Sequence, residues 1–372
     1  MTANKDRKIA IIGGGIGGLT AAVAFAQQGA RVTLFEQADA LADVGAGIQI
    51  TPNGGRVLNA LGVSLSGLSL IAQAVRPIDA LSGKGIARFD LSDQIPPYRF
   101  VHRADLIGVL ADAATKAGAD IRLGQRVDGP QTLDADVVVG ADGIHATNRA
   151  VLNGVEDATF TGQVAWRATI AAADAPQEAG IWMAPRRHVV TYPLPNGRLN
   201  IVAVQERDAW AAEGWHHADD PANLQAAFAD CAPALCAILA RVEAVNLWGL
   251  YQHPVALRWH DDRLVLVGDA AHPTLPFLAQ GANLAIEDAY VLARCLGETR
   301  ETSKALATYQ HARLHRVVRA IKAANANAAN YHLSGVTRRV AHMGLRGLGR
   351  VAPKAFLRRL SWLYDHDVTQ SG

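Results

Sequence analysis

The hydrophobic pattern changes period twice within the first forty residues. Residues 7–12 (RKIAII) end in an apolar run, residues 16–28 are alanine-rich and uncharged, and residues 31–35 (RVTLF) are again apolar. The order predicts strand, helix and strand, a βαβ unit. Lys5, Arg7 and Lys8 ahead of the uncharged stretch from Ile9 to Gln28 give it the outward form of a signal peptide or membrane anchor. Gly13, Gly14, Gly15, Gly17 and Gly18 argue against that form, because each costs a continuous helix about 1 kcal/mol. A strand, a tight loop and then a helix use them naturally. No other run reaches the roughly 18 to 20 apolar residues that spanning a membrane requires.

Two further buried strands are predicted where apolar runs close in a glycine and an aspartate. They lie in residues 134–149 (DADVVVGADGIHATNR) and 263–289 (RLVLVGDAAHPTLPFLAQGANLAIEDA). The second continues through a proline-punctuated loop into a helix that starts near Gly281. Between these segments the pattern turns to alternation. Residues 186–206 (RRHVVTYPLPNGRLNIVAVQE) read as two strands joined through Asn196-Gly197, a strong hairpin signal. His188, Val190 and Tyr192 share one face of the first of these strands.

The chemistry begins at the first turn, where Gly13, Gly15 and Gly18 have GxGxxG spacing. The first glycine allows the turn, the second lets backbone approach a pyrophosphate, and the third lets helix meet strand. The pyrophosphate would sit on the helix N-terminus, whose free N–H groups favour anions. Glu36 at the end of the next strand is placed to accept from ribose hydroxyls, which favours FAD or NAD over NADP. There is no second GxGxxG and so no separate nicotinamide domain.

Composition narrows the class. With 372 residues the chain is long enough for two packed domains. Half of it is hydrophobic and 19% charged, with 34 glycines and 15 prolines, which excludes disordered, collagen-like and coiled-coil chains. The net charge of +2 argues against a nucleic-acid binder. Three cysteines make no disulfide framework or zinc spacing and fit a reducing cytoplasm. Cys231 and Cys236 read as small core residues of one alanine-rich helix. From His311 onward there are 11 Lys and Arg against 2 acids, read as helices packing on an acidic body with a solvated basic face. His311 and His315 are four apart but lack the glutamate of HExxH, so metal is not expected; adjacent His216 and His217 carry no spacing information.

The three strand-ending segments together resemble the single-component FAD-dependent aromatic hydroxylases, the salicylate and hydroxybenzoate hydroxylase group of flavoprotein monooxygenases. The resemblance implies that Asp269 contacts ribityl or ribose hydroxyls and that Pro276 lies by the isoalloxazine. It implies that Asp142 serves both FAD and transient NADH or NADPH docking, that Arg103 in VHRADL reaches FAD, and that residues 44–54 cover the flavin. Backbone N–H groups at Gly281, Ala282 and Asn283, at a helix N-terminus, would stabilise negative charge on the reduced ring. His188, Tyr192 and Pro193 match an HxxxYP strand that lines the family's substrate cavity, and Gln280 matches a substrate-contacting glutamine. Trp166 and Arg167 match a strand of the family sheet and read as structural.

The resemblance also sets the expected architecture and activity. The fold class is α/β, a Rossmann-like FAD-binding domain with an inserted antiparallel-sheet substrate domain and a helical C-terminal region. Its expected boundaries are 1–74, 100–155 and 260–325 for FAD, 75–99 and 156–259 for substrate, and 326–372 for the helical region. The implied reaction hydroxylates a phenolic or N-heteroaromatic acid with NAD(P)H and O2 through a C4a-hydroperoxyflavin. His188, with an ordinary pKa near ~6.5, would accept the phenol proton. The expected partners are a small aromatic substrate and O2, with no nucleic acid and no membrane span; a homodimer is left open. A ubiquinone-pathway hydroxylase and a flavin-bound sensor without turnover are the competing readings.

Overall fold

The structure, a computed structural model, describes residues 2–41, 46–144, 147–208 and 217–370. Val44 and Gly45 of the expected flavin-covering segment, and His216, lie outside the described residues. The βαβ unit forms as the pattern predicts, with strands Lys8–Ile12 and Arg31–Phe35 parallel around the helix Ile16–Gln27. Its sheet has five parallel strands in the order Leu264–Leu266, Val137–Gly140, Lys8–Ile12, Arg31–Phe35 and Asp120–Arg122. The central strands are continuous apolar runs because helices cover both faces; Ile11, Val138 and Val265 are fully buried. Gly13, Glu36, Asp142 and Asp269 therefore all stand just beyond the carboxyl ends of parallel strands, where open α/β sheets place their ligands.

A second sheet of eight strands draws on residues 74–90 and 159–252 and is antiparallel except where Glu178–Ala184 runs parallel to Ala74–Asp79. Its hairpin, Arg187–Leu194 with Arg198–Glu206, turns through residues 195–197, where Asn196 and Gly197 take the left-handed φ values of 63° and 66° that these residue types tolerate. Alternation sorts the strands into two faces. One face, with Trp166, Val189 and Ile201, is closed by Leu224, Phe228 and Leu235 in and beside two short helices. The opposite face, with Ala165, Val204, Trp248 and Leu250, meets Phe277 of the loop after the Gly-Asp turn. A three-stranded sheet, Gly47–Ile50, Arg99–His102 and Ser69–Ile71, completes the strands.

Residues 302–364 are mostly helical, led by Thr302–Tyr331 and Gly335–Val351. One expectation changes here. Cys231 and Cys236 do not share a helix, because Pro233 opens a new helix, Pro233–Leu239, and leaves Cys231 in the connection. The basic helix Thr302–Tyr331 has two sides: His311 and His315 are exposed, while Arg313 and Arg316 turn inward and are buried. Among the described residues no helix is long and apolar enough to cross a membrane.

Candidate active site

A cleft of about 800 Å3 runs from the glycine turn to the large antiparallel sheet, with Gly13, Gly15, Glu36, Arg103, Asp142 and Asp269 in its wall. The glycines are fixed by contact. A Cβ on Gly13, whose φ is +110°, would stand 2.3 Å from the Ala141 carbonyl oxygen, and one on Gly18 would stand 2.0 Å from the Gly13 carbonyl oxygen. Gly18 thus joins helix to strand and lies behind the wall. A Cβ on Gly15 would meet no protein atom within 4 Å, so that glycine faces open cleft at the start of the uncapped helix Ile16–Gln27. Glu36 ties the turn together by accepting from the Gly14 N–H at 2.6 Å and the Ala38 N–H at 2.9 Å.

Two buried or largely buried carboxylates stand in the cleft wall. Asp142 Oδ2 accepts from Asn148 Nδ2 at 2.8 Å, while its buried Oδ1 has no hydrogen-bond partner among the described residues. Burial raises its pKa, opposed by the bonds from Asn148 and Thr147. Burial also raises that of Asp269, with His272 and Arg103 pulling it back. The cleft volume, the open space before Gly15 and the unfilled acceptor on Asp142 fit a dinucleotide such as FAD.

A smaller cavity of about 70 Å3 adjoins the cleft, sharing Ile144, Arg167 and Trp248 with it and closed by Pro273, Leu275 and Pro276. Arg167 was read from sequence as structural. Its strand instead turns it to the cleft face, with its guanidinium 4.7 Å over the Trp248 ring, while Trp166 points to the opposite core. Alternation of two residues is the signal that separates them, but it does not say which face is which.

His188, Tyr192 and Gln280 line neither cavity. All three are buried. His188 lies against the rings of Phe277 and Tyr331. Tyr192 stacks on Phe100 at 5.2 Å, and burial raises its phenol pKa, so it stays neutral. Gln280 spends both ends of its amide inside the protein, donating to Thr51 Oγ1 at 3.1 Å and accepting from Asn53 Nδ2 at 3.2 Å. It is the residue before the helix Gly281–Glu298, whose N-terminus no side chain caps, so Gly281 and Ala282 keep their N–H groups for a neighbour. The Asn283 side chain is buried and clamps backbone, accepting from the Thr51 N–H at 3.0 Å and donating to the Gln49 carbonyl at 3.0 Å.

That helix also carries a charge cluster the sequence did not mark. Glu287 and Asp288, both buried, meet Arg313 at 2.7 Å each, and Glu287 also meets Arg316 at 2.7 Å. Asp288 Oδ2 accepts from the Gly268 N–H at 3.0 Å and bonds His272, which anchors the turn presenting Asp269.

Residues 122–324 match the family described as FAD binding domain, and residues 11–59 match the NAD(P)-binding Rossmann-like domain. The chain is 34% identical to a 3-amino-4-hydroxybenzoate 2-monooxygenase of Streptomyces platensis, over 98% of this chain and 97% of that protein. It is 30% identical to a 3-hydroxybenzoate 6-hydroxylase of Klebsiella oxytoca, over 97% of each. Its fold is that of a salicylate hydroxylase solved with its substrate, at a TM-score of 0.81 and 22% identity, covering 98% of this chain and 96% of that one.

Proposed function

The chain belongs to the single-component FAD-dependent aromatic hydroxylases, and from that premise we propose that it hydroxylates a phenolic or N-heteroaromatic acid, with His188 as the proton acceptor. One observation carries the reading: the dinucleotide cleft is continuous with the sheet face that bears Arg167 and Trp248, and His188 and Tyr192 lie on that same face. Gly13, Gly15, Gly18 and Glu36 shape and orient the nucleotide end. Arg103, Asp142 and Asp269 serve the middle, and Pro276 with the helix start at Gly281, Ala282 and Asn283 serves the ring end. Bound there, FAD supplies the redox chemistry that takes electrons from NAD(P)H and activates O2.

The chain's own part is to exclude water, hold the ring and remove its proton. Removing the phenol proton puts electron density into the ring, which favours attack on an electrophilic oxygen. Arg167 supplies the cation for a carboxylate substituent. The small cavity, at about 70 Å3, is less than the roughly 150 Å3 that holds benzene in an apolar protein interior. Substrate admission therefore moves Leu275 and Pro276, and Gln280 is released from Thr51 or Asn53 if it is to touch the ring.

The test is NAD(P)H oxidation over a panel of hydroxybenzoates, hydroxypyridine acids and prenylated phenols, with products identified by mass. A soluble aromatic acid should speed flavin reduction and gain one oxygen. Turnover confined to prenylated phenols, or flavin reduction without any oxygenated product, overturns the reading. Asp269→Ala should weaken FAD retention by about 1 to 3 kcal/mol through loss of a buried acceptor, measured as the FAD dissociation constant of the reconstituted protein.

A further inference from the structure

His332 ends the helix Thr302–Tyr331 and lies 144 residues from His188 in sequence, yet its Nε2 is 2.7 Å from His188 Nδ1. Its Nδ1 is 2.8 Å from Glu206 Oε1 on the strand paired with that of His188. This order fixes the protons. An ionised carboxylate only accepts, so His332 carries its proton on Nδ1 and keeps a lone pair on Nε2. His188 must then donate from Nδ1, which leaves its Nε2 as an acceptor. Among the described residues nothing hydrogen-bonds to that atom. The chain Glu206–His332–His188 thus presents a base at its inner end. Its outer end is wet, for the Glu206 side chain is 31% exposed and meets the exposed Arg186 at 3.0 Å.

Resting on the hydroxylase reading, we propose that His332 and Glu206 are positioning residues that relay the substrate's proton from His188 to the protein surface. The phenol proton moves to His188 Nε2, the Nδ1 proton of His188 to His332 Nε2, and the Nδ1 proton of His332 to Glu206 Oε1. The phenol loses one proton, Glu206 gains one, and each imidazole stays neutral with its tautomer exchanged. A proton returning along the same chain to the product phenolate restores the starting tautomers. The relay answers a difficulty in the site, since burial disfavours an imidazolium at both histidines. Among the described residues, the ionisable groups facing the chain are Tyr331, which burial keeps neutral with a pKa near 12, Arg186 beside Glu206, and Asp208 beyond Arg186.

Glutamine at position 332 or 206 can keep the hydrogen bonds, but its amide cannot pass or take up the proton. FAD-loaded His332→Gln and Glu206→Gln are compared with the unaltered enzyme using 3-hydroxybenzoate as probe, its ionisation read from the phenolate difference spectrum over a pH series and its proton release from an indicator dye. Both variants should raise the ionisation midpoint of the bound phenol by at least one unit and slow proton release at least tenfold. Benzoate, which lacks the hydroxyl, should bind to both as it binds to the unaltered enzyme, within twofold. Unchanged midpoints and release rates, or loss of benzoate binding in step with the midpoint, would reduce His332 to packing and overturn the relay. Product identified by mass from the unaltered enzyme reads the hydroxylase function and the midpoint shift reads the relay, so each fails separately.

Discussion

Replacing His188 by alanine should leave FAD bound and cut coupled hydroxylation by about 10² to 10⁴, the usual contribution of a positioned general base. FAD retention survives because His188 is absent from the wall of the dinucleotide cleft. Electrons would still reach oxygen, so hydrogen peroxide formed per NAD(P)H should rise as product falls. The loss should shrink toward high pH, where phenols ionise unaided near ~10. Because burial lowers the pKa of His188 well below 6.5, the unaltered enzyme keeps this base neutral through pH 6.5 and some way beneath it. The same shift has a stability sign. A histidine that is harder to protonate folded than unfolded contributes stability above pH 6.5 that is lost as pH falls toward its folded value. His188→Ala removes that penalty, so its stability should depend less on pH below 6.5. Alanine also leaves a cavity and takes the partner from His332 Nε2, and His188→Gln, which fills the space, should show the same loss of coupling. Rapid-quench product yields over a pH series decide the matter; unchanged coupling in both variants would assign the proton to another base.

The parts of this site legible in the sequence are those set by local geometry. The glycine turn is dictated by contacts within a few residues, such as Gly18 against the Gly13 carbonyl, and Glu36 follows at the end of the next strand. The hairpin at Asn196-Gly197 and the shared face of His188 and Tyr192 follow from turn chemistry and a period of two. Interactions across long sequence separations were not legible. His332 and Glu206 are 126 residues apart, and nothing near either marks it as a partner. Arg313 and Arg316 sit in a helix whose exposed His311 and His315 suggest a solvated face, yet a half-turn of rotation brings the arginines onto Glu287 and Asp288. Gln280 shows the opposite failure. Its position just before the helix Gly281–Glu298 was readable, but Thr51 and Asn53, which occupy its amide, lie more than 220 residues earlier in the chain.

The buried cluster supports the second large effect. Arg313→Met should destabilise the protein by about 3 to 5 kcal/mol, the cost of leaving buried charge uncompensated, a large share of a typical domain's ~5 to 15 kcal/mol. Methionine fills much of the space left by the arginine stem, so the loss measures charge more than volume. Glu287 would keep Arg316 and Asn53, while Asp288 would keep only His272 and the Gly268 N–H. The pH dependence identifies the cause. Desolvation acts to raise the pKa of Asp288, but His272 and Arg313 outweigh it and hold the group at about 2. Its stabilising contribution is therefore present above the unfolded value of 3.8 and is lost as pH falls through the interval down to about 2. Without Arg313 the carboxyl groups take up protons at higher pH, and once protonated they no longer need the cation. The deficit of the variant should then be greatest near neutral pH and narrow below pH ~4. Asp288→Asn in the same chain should recover part of the loss at neutral pH, because it removes the stranded charge. FAD should also leave Arg313→Met at lower denaturant than the unaltered protein, since Asp288 anchors the turn that presents Asp269. Urea unfolding followed by tryptophan and flavin fluorescence at pH 7 and pH 4 measures all three. A deficit equal at both pH values, with no recovery in the double variant, would mean that Arg313 contributes packing and not charge.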